Sequence, residues 1–218
     1  MTASEGTSTQ FQARALDCER GGRLVFVGLD FSLAPGSALV LRGANGSGKS
    51  SLLRILAGLL HPVGGTLEWA GAPVSEDPEA HRARLHYVGH LDALKTALTV
   101  GENLAFWAGL RGSAAGVGAG LDQFGLGELA DMPARYLSAG QRRRASLARL
   151  AASKAALWLL DEPTVTLDAA SVAGLGRAMA AYRAAGGIVV VATHGALEIA
   201  EAQTLDMSTF SPSLEFAP

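Results

Sequence analysis

The residues best suited to chemistry form one glycine-rich stretch, Gly43-Ala44-Asn45-Gly46-Ser47-Gly48-Lys49-Ser50. Its spacing fits G-x-x-x-x-G-K-[ST], a phosphate-binding loop. Glycines allow positive φ angles and a close approach of the backbone, so successive N–H groups can point at phosphate oxygens. Lys49 supplies a positive charge for the terminal phosphates, and the Ser50 hydroxyl can bind Mg²⁺. The stretch predicts a site for a nucleoside triphosphate.

The segments on either side of this loop fit that interpretation. Residues 38–41 form an apolar run between Gly36 and Gly43, which predicts a buried strand. Apolar side chains between positions 52 and 60 recur at helical spacing, so a helix should begin at about Lys49. The positive end of that helix would favour the same anion.

A pair of acids, Asp161 and Glu162, follows the apolar run at 157–160. This order predicts a buried strand with carboxylates at its carboxyl end, where open parallel sheets bind their ligands. Asp161 could then hold Mg²⁺, most simply through water, and Glu162 could polarise an attacking water as a general base. The plainer alternative is an acidic turn that caps the next helix.

A second candidate anion site is the stretch Leu137-Ser138-Ala139-Gly140-Gln141. Ser138 can cap a helix that begins near Gly140, and free N–H groups would lie behind it. One nucleotide does not need two such sites on one chain, so the second site makes sense if it faces the γ-phosphate held by a neighbouring chain. Taken alone, the stretch is better explained as a helix cap and nothing more.

Composition restricts the class of protein. The chain has 218 residues, 49% of them hydrophobic, a net charge of −2 and a single cysteine, Cys18. The charge implies no general affinity for nucleic acid, and one cysteine permits no internal disulfide, which suits a reducing cytoplasm. We expect no signal peptide, and no apolar run reaches the roughly 18 residues of a membrane span. A membrane role would therefore depend on a partner.

The pattern along the chain predicts an α/β fold with a mostly parallel sheet. Residues 1–10 are expected to be a disordered leader, and residues 11–218 a single domain with a helical lobe inserted at about 92–154. Within it we expect an edge strand at 11–16, a turn at 18–22 and a flexible connection at 112–120. The tail from about Thr204 is too weakly patterned for a prediction.

Together these stretches resemble the nucleotide-binding subunit of ATP-binding cassette (ABC) transporters. The phosphate loop, the Ser138 stretch, Asp161-Glu162, Leu167-Asp168 and His194 come in that family's order and spacing, over about residues 11–205. The resemblance implies an ABC-type phosphate-loop core with a mostly parallel sheet, an antiparallel β subdomain and an inserted α-helical subdomain.

The resemblance also implies roles for individual residues. Two subunits would close head to tail, with ATP between one phosphate loop and the partner's signature residues. His194 would contact the γ-phosphate as a catalytic switch beside Glu162 and Lys49, and Asp168 would lie at the dimer interface. ATP contacts would come from Gly43, Ala44, Asn45, Gly46, Ser47, Gly48, Lys49, Ser50, Ser51 and Arg20. Mg²⁺ would be held by Ser50, Asp161 and His90, and the signature residues are Ser138, Ala139, Gly140 and Gln141.

The sequence departs from the family pattern at three places. His90 stands where glutamine is usual, and its imidazole, a pH-sensitive group, can still hydrogen-bond a water or the Mg²⁺ shell. Arg20 stands where an aromatic residue usually stacks on adenine; its guanidinium can stack on the base, or it can be a solvated arginine. Residues 164–168 replace the commoner small residues before Leu-Asp.

The stretches at 16–20, 87–90, 95–104 and 137–144 resemble one branch of that family, the haem-exporter ATPases of bacterial cytochrome c maturation. That resemblance implies a homodimer of ATP-binding subunits, peripheral on the cytoplasmic face of the inner membrane. It would work with integral membrane permease subunits and act indirectly on haem and a periplasmic haem chaperone.

Several alternatives stay open at this stage. They include an ATPase subunit exporting another substrate, an ATP-driven assembly switch, a small-molecule kinase, and a translation or repair ATPase. His81, His86 and His90 might suggest haem or metal ligation, which we discount because they do not share a helix face. Phe106 and Trp107 are expected in the core of the helical lobe. Arg142-Arg143-Arg144 is expected to be a solvated helix face rather than a nucleic-acid site.

Overall fold

The computed structural model describes residues 11–112, 114–195 and 197–212, so the predicted leader at 1–10 lies outside the described residues. The described strands are β1 (Phe11–Arg20), β2 (Arg23–Leu33), β3 (Ala38–Arg42), β4 (Gly64–Trp69), β5 (Ala72–Pro73), β6 (Leu85–Val88), β7 (Leu157–Asp161), β8 (Ile188–Ala192) and β9 (Gln203–Asp206). The described α-helices are α1 (Lys49–Leu56), α2 (Pro78–Ala83), α3 (Val100–Gly109), α4 (Val117–Gln123), α5 (Ala139–Ala152) and α6 (Ala169–Ala184).

A parallel sheet of five strands, in the order β6-β7-β8-β3-β9, carries the candidate chemistry. Every residue of β7 and of β8 is buried, as the continuous apolar runs predict for strands covered on both faces. The mostly parallel core is therefore confirmed. β9 lies in the weakly patterned tail, for which we made no prediction, and it pairs in parallel with β3.

An antiparallel sheet in the order β2-β1-β4-β5 packs beside this core. The predicted edge strand at 11–16 is wrong on two counts. β1 lies between β2 and β4, and it continues to Arg20. The predicted turn at 18–22 shrinks to Gly21-Gly22, because both glycines take positive φ (58° and 75°) and close a two-residue hairpin.

The helical lobe contains α3, α4 and α5, with the last running back toward the sheet. The predicted flexible connection at 112–120 is wrong for its second half, where α4 begins at Val117. Two of its glycines are sites of close packing on α5. A Cβ added at Gly116 would lie 2.1 Å from the carbonyl oxygen of Ala152. A Cβ added at Gly120 would lie 2.7 Å from the carbonyl oxygen of Ala148. Small residues here let two backbones meet.

The two faces of the parallel sheet bury separate clusters, because successive strand residues point to opposite sides. Leu157, Leu159 and Val190 pack on the face covered by α1 and the antiparallel sheet. Trp158, Leu160 and their neighbours pack against α3, α5 and α6. No helix in the described part of the chain combines the length and apolar character that crossing a membrane requires.

Candidate active site

The candidate groups come together because they follow neighbouring strands at one edge of the parallel sheet. The phosphate loop follows β3, Asp161 ends β7, and His194 follows β8. His90 lies two residues beyond the end of β6. This is the carboxyl edge, where open α/β sheets bind ligands.

The glycines of the phosphate loop are required by geometry. Gly43 and Gly48 have φ angles of 140° and 98°. A Cβ at Gly43 would lie 2.7 Å from the Ser47 hydroxyl oxygen, and one at Gly48 would lie 2.7 Å from Val25 Cγ1. α1 begins at Lys49, as predicted, and Gly48 at its start leaves the first N–H groups pointing out of the helix end.

Lys49 and Ser50 carry the charge and the hydroxyl of the loop. The Lys49 ammonium donates to the carbonyl oxygens of Gly43 (2.8 Å) and Ala44 (3.0 Å), so it lies over the start of the loop. The Ser50 hydroxyl donates to Asp161 Oδ1 at 3.0 Å. The two strongest predicted Mg²⁺ ligands, one on α1 and one on β7, therefore meet in space.

This donor pair fits Mg²⁺, which prefers oxygen ligands and usually takes only one or two from the protein beside phosphate and water. Asp161 is buried, and its carboxylate accepts a hydrogen bond from the Ser50 hydroxyl. Among the described residues, no group of three or more His, Cys, Asp or Glu side chains is arranged to hold a metal without such outside ligands. His90 is exposed and borders the same cleft.

Glu162 is held in place through both its backbone and its side chain. Its φ of 46° is unusual for a residue with a Cβ, and its N–H donates to the Ala192 carbonyl at 2.8 Å. One carboxylate oxygen accepts the His194 backbone N–H at 3.2 Å. The other, Oε1, is buried without a hydrogen-bond partner and lies 3.6 Å from His194 Nε2. One oxygen is thus anchored, while the other remains available for a proton.

A cleft of about 620 Å³ unites most of the predicted set. The predicted residues on its walls are Arg20, Asn45, Gly46, Gly48, Lys49, Ser50, Ser51, His90, Asp161, Glu162 and His194. Val25 and Val165 complete the lining. The signature residues Ser138, Ala139, Gly140 and Gln141 lie outside this lining, as does Asp168.

The signature residues build a helix start on another part of the surface. Ser138 Oγ accepts the Gln141 N–H at 3.2 Å, and Gln141 Oε1 accepts the Ser138 N–H at 2.8 Å, which forms a capping box at the start of α5. Gly140 lets Thr166 approach, because a Cβ there would lie 2.9 Å from the Thr166 carbonyl oxygen. Asp168 caps α6 by accepting the Ser171 N–H at 2.7 Å, a hydrogen bond that lowers the pKa of its carboxyl.

The expectation that Arg142-Arg143-Arg144 forms a solvated face is wrong for its middle residue. Arg143 is only 3% exposed and donates to carbonyl oxygens around Asp161 and Glu162. Burial lowers the pKa of its guanidinium, whereas the nearby carboxylate of Asp92 raises it. A signal was present in the sequence: Arg143 shares the helical spacing of Ser146, Leu147 and Leu150, all of which are buried.

The histidines that could suggest a haem site are separated in the structure. His81 hydrogen-bonds the Leu56 carbonyl at 2.8 Å and His86 the Ser153 carbonyl at 3.0 Å, both in the interior. Burial lowers the pKa of both, that of His86 to about 4. Phe106, expected in the lobe core, is 43% exposed and stacks edge-on with Trp107.

Fold and site define an ABC-type ATP-binding subunit, and the comparison with known families agrees. A family model described as "ABC transporter" matches residues 26–165, so the chain belongs to the ABC transporter family. The chain is 54% identical over 214 residues to the "Cytochrome c biogenesis ATP-binding export protein CcmA" of Paramagnetospirillum magneticum, covering 96% of this chain and 99% of that protein.

Two further relatives and one solved structure support the assignment. Proteins with the same name from Rhodospirillum rubrum and Nitrosococcus oceani are 55% and 42% identical, covering 93% and 95% of this chain and 87% and 96% of theirs. A solved "Putative ABC transporter (ATP-binding protein)" from Pyrococcus furiosus aligns with a TM-score of 0.81 at 20% identity, covering 93% of this chain and all of that one. At that identity, the likeness supports the fold alone.

Proposed function

We propose that this chain is the ATP-hydrolysing subunit of a membrane ABC complex that acts in cytochrome c biogenesis. The observation that carries the proposal is the meeting of four groups in one cleft: the phosphate loop, the Ser50–Asp161 pair, Glu162 and His194. The names of relatives at 42–55% identity, which describe export proteins of cytochrome c biogenesis, support the pathway. By that analogy the complex drives haem delivery or release of a haem chaperone.

Each residue of the cleft has a task that its geometry allows. The loop N–H groups and Lys49 would bind and orient the β- and γ-phosphates. Ser50 and Asp161 would hold Mg²⁺, which when bound offsets charge on the phosphate oxygens. The open Oε1 of Glu162 would take a proton from the attacking water. His194, anchored next to Glu162, would donate to the γ-phosphate.

Two of the residues that depart from the family pattern, Arg20 and His90, line the cleft. Arg20 is exposed on the wall of the cleft, where its planar guanidinium can stack on adenine. His90 is exposed on the same wall and would hydrogen-bond the water shell of Mg²⁺. The position of both residues on the cleft wall supports these two proposals.

The complete site would need a second copy of the chain. Ser138 and Ala139, at the start of α5, are exposed and lie outside the cleft. They are therefore not placed to contact a nucleotide bound in the cleft of the same chain. In a head-to-tail homodimer, these residues would face the γ-phosphate bound by the partner, and Asp168 would lie between the two sites. Free N–H groups at a helix start favour an anion there.

Attachment to integral membrane subunits would use the helical lobe. A groove of about 430 Å³ lies between the end of α1, β6 and α3, and Leu59 and Leu110 on its walls are 58% and 66% exposed. Trp107 and Arg111 also line it. An apolar groove with basic walls suits an amphipathic segment of a permease subunit. The chain would then be peripheral, on the cytoplasmic face of the inner membrane.

The substitution Glu162→Gln tests this function. Losing the base should lower ATP turnover by about 10²- to 10⁴-fold, with ATP affinity retained. Haem delivery, measured as holo-cytochrome c formed in cells, should fall with it. Gln keeps the size and one carbonyl oxygen, so folding can be checked by nucleotide binding.

The other outcomes separate the remaining alternatives. Cytochrome c formation at the wild-type level with Glu162→Gln would leave two alternatives, which Lys49→Ala separates because it removes a phosphate contact. Loss of cytochrome c formation in Lys49→Ala would favour an assembly switch driven by binding alone, and unchanged formation would favour export of another substrate. Wild-type turnover by the variant would refute Glu162 as the base.

A further inference from the structure

Resting on the function proposed above, we propose that Arg143 is a positioning residue that holds Glu162 in its hydrolytic orientation. Arg143 lies on α5, five residues after Ser138, and is not itself part of the lining of the cleft. Its role would be exerted through the backbone of the segment that carries the base.

The contacts of Arg143 converge on that segment from one buried guanidinium. Nη2 donates to the carbonyl oxygens of Asp161 (2.7 Å) and Glu162 (2.8 Å), and Nε donates to that of Pro163 (3.3 Å). Three consecutive carbonyl groups are therefore tied to one rigid plane. A lysine ammonium has the charge but not this fixed fork of donors.

The same guanidinium also reaches the loop that carries His90. Nη1 donates to the Gly89 carbonyl at 2.9 Å and faces Asp92 Oδ1 at 3.5 Å. Thus Arg143 connects the helix that begins at the signature residues with two walls of the ATP cleft. A buried cation that satisfies backbone acceptors on two segments fixes their relative positions.

The conformation of Glu162 explains why such a clamp is needed. A residue with a Cβ at φ 46° has a sparsely populated backbone conformation, which persists only where surrounding contacts determine it. Arg143 donates to the carbonyl oxygens of Asp161 and Glu162. These two peptide groups flank the Cα atom of Glu162, so the two hydrogen bonds restrain its φ and ψ angles. Without the clamp the peptide could relax, and the carboxylate would leave its place beside His194.

The test compares Arg143→Lys and Arg143→Met with a matched control, Arg183→Lys. Arg183 is half-buried and also donates to two carbonyls, those of Gly36 (2.8 Å) and Ala200 (2.7 Å), but it lies away from the cleft. For each protein, kcat and KM for ATP, the Kd for a fluorescent ATP analogue and the thermal unfolding midpoint are measured.

For Arg143→Lys we expect kcat to fall on the order of 10- to 100-fold, because a displacement of about 1 Å at the base costs that much. KM and the analogue Kd should stay within about threefold, since the phosphate loop is untouched. Arg183→Lys should keep kcat. Arg143→Met should lose at least as much turnover as Arg143→Lys, and if it does not fold the lysine variant decides.

Three results would overturn the inference. Arg143→Lys with wild-type kcat would show that Glu162 needs no such clamp, while the proposed function would stand. Equal losses in binding and turnover, or loss of the thermal transition in Arg143→Lys, would make Arg143 a folding residue only. If the wild-type chain failed to hydrolyse ATP under all conditions, the proposed function would fall and the inference with it.

Discussion

Protonation of His86 should destabilise this protein in mild acid. The imidazole is buried between α5 and β6, where Nε2 donates to the Ser153 carbonyl oxygen. Burial is the largest cause of the lowered pKa, about 4 in the folded chain, and the charges of Arg111 and Arg149 lower it further. The hydrogen bond to the Ser153 carbonyl oxygen opposes this shift, but the charged groups that contribute to it, Arg111 and Arg149, are both positive.

The sign and size of the effect follow from linkage. The folded pKa lies below the unfolded value of about 6.5, so the unfolded chain binds more protons between pH 6.5 and 4. The contribution of neutral His86 is therefore present above pH 6.5 and is lost as the pH falls. Between pH 7.5 and 5.0 the loss amounts to roughly 2 kcal/mol.

Urea unfolding at pH 7.5 and pH 5.0 measures this loss in wild type and in His86→Gln, whose amide can still donate to the Ser153 carbonyl. The difference in free energy of unfolding between the two pH values should shrink by about 2 kcal/mol in His86→Gln. The same histidine-to-glutamine change at the exposed His61 is measured alongside as a control for the substitution itself. An unchanged pH dependence in His86→Gln would refute the reasoning.

Two further substitutions test the phosphate loop and the signature helix. Gly48→Ala should abolish binding of a fluorescent ATP analogue, because a Cβ at φ 98° would lie 2.7 Å from Val25; Gly176→Ala, in open space on α6, is the control that should bind normally. Ser138→Ala should lower the free energy of unfolding by about 1 kcal/mol through the lost capping box and should reduce ATP turnover more than Ser138→Thr does. Normal analogue binding by Gly48→Ala, or equal turnover by the two Ser138 variants, would contradict these expectations.

The sequence predicts the elements of this fold best where the signal is local. The phosphate loop, the start of α1 at Lys49 and the buried run of β8 each depend on residues within a few positions of one another, and the structure has them as predicted. The place of β1 was missed because its neighbours come from β2 and from β4, which begins 44 residues after the end of β1. The periodicity of apolar residues indicates which face of a strand is buried, but it does not indicate which strands pair with one another.

The buried guanidinium of Arg143 was missed for a related reason. A run of three arginines on a helix is ordinarily solvated, and only the convergence of carbonyl groups from two other segments makes burial of the middle one favourable. The glycines at 116 and 120 were misjudged in the same way. Their composition suggests flexibility, whereas their partner atoms on α5 make them packing residues.

The signature helix shows how one set of atoms can serve both folding and recognition. A serine hydroxyl offers one donor and two acceptor positions. In the capping box, Ser138 Oγ uses an acceptor position for the Gln141 N–H, so its proton remains to donate to a phosphate oxygen. Gln141 likewise uses Oε1 for the cap and keeps its amide N–H groups. In the proposed homodimer, the interactions that begin α5 would therefore not have to be broken when the partner's nucleotide arrives, and the contact surface would be ordered before binding.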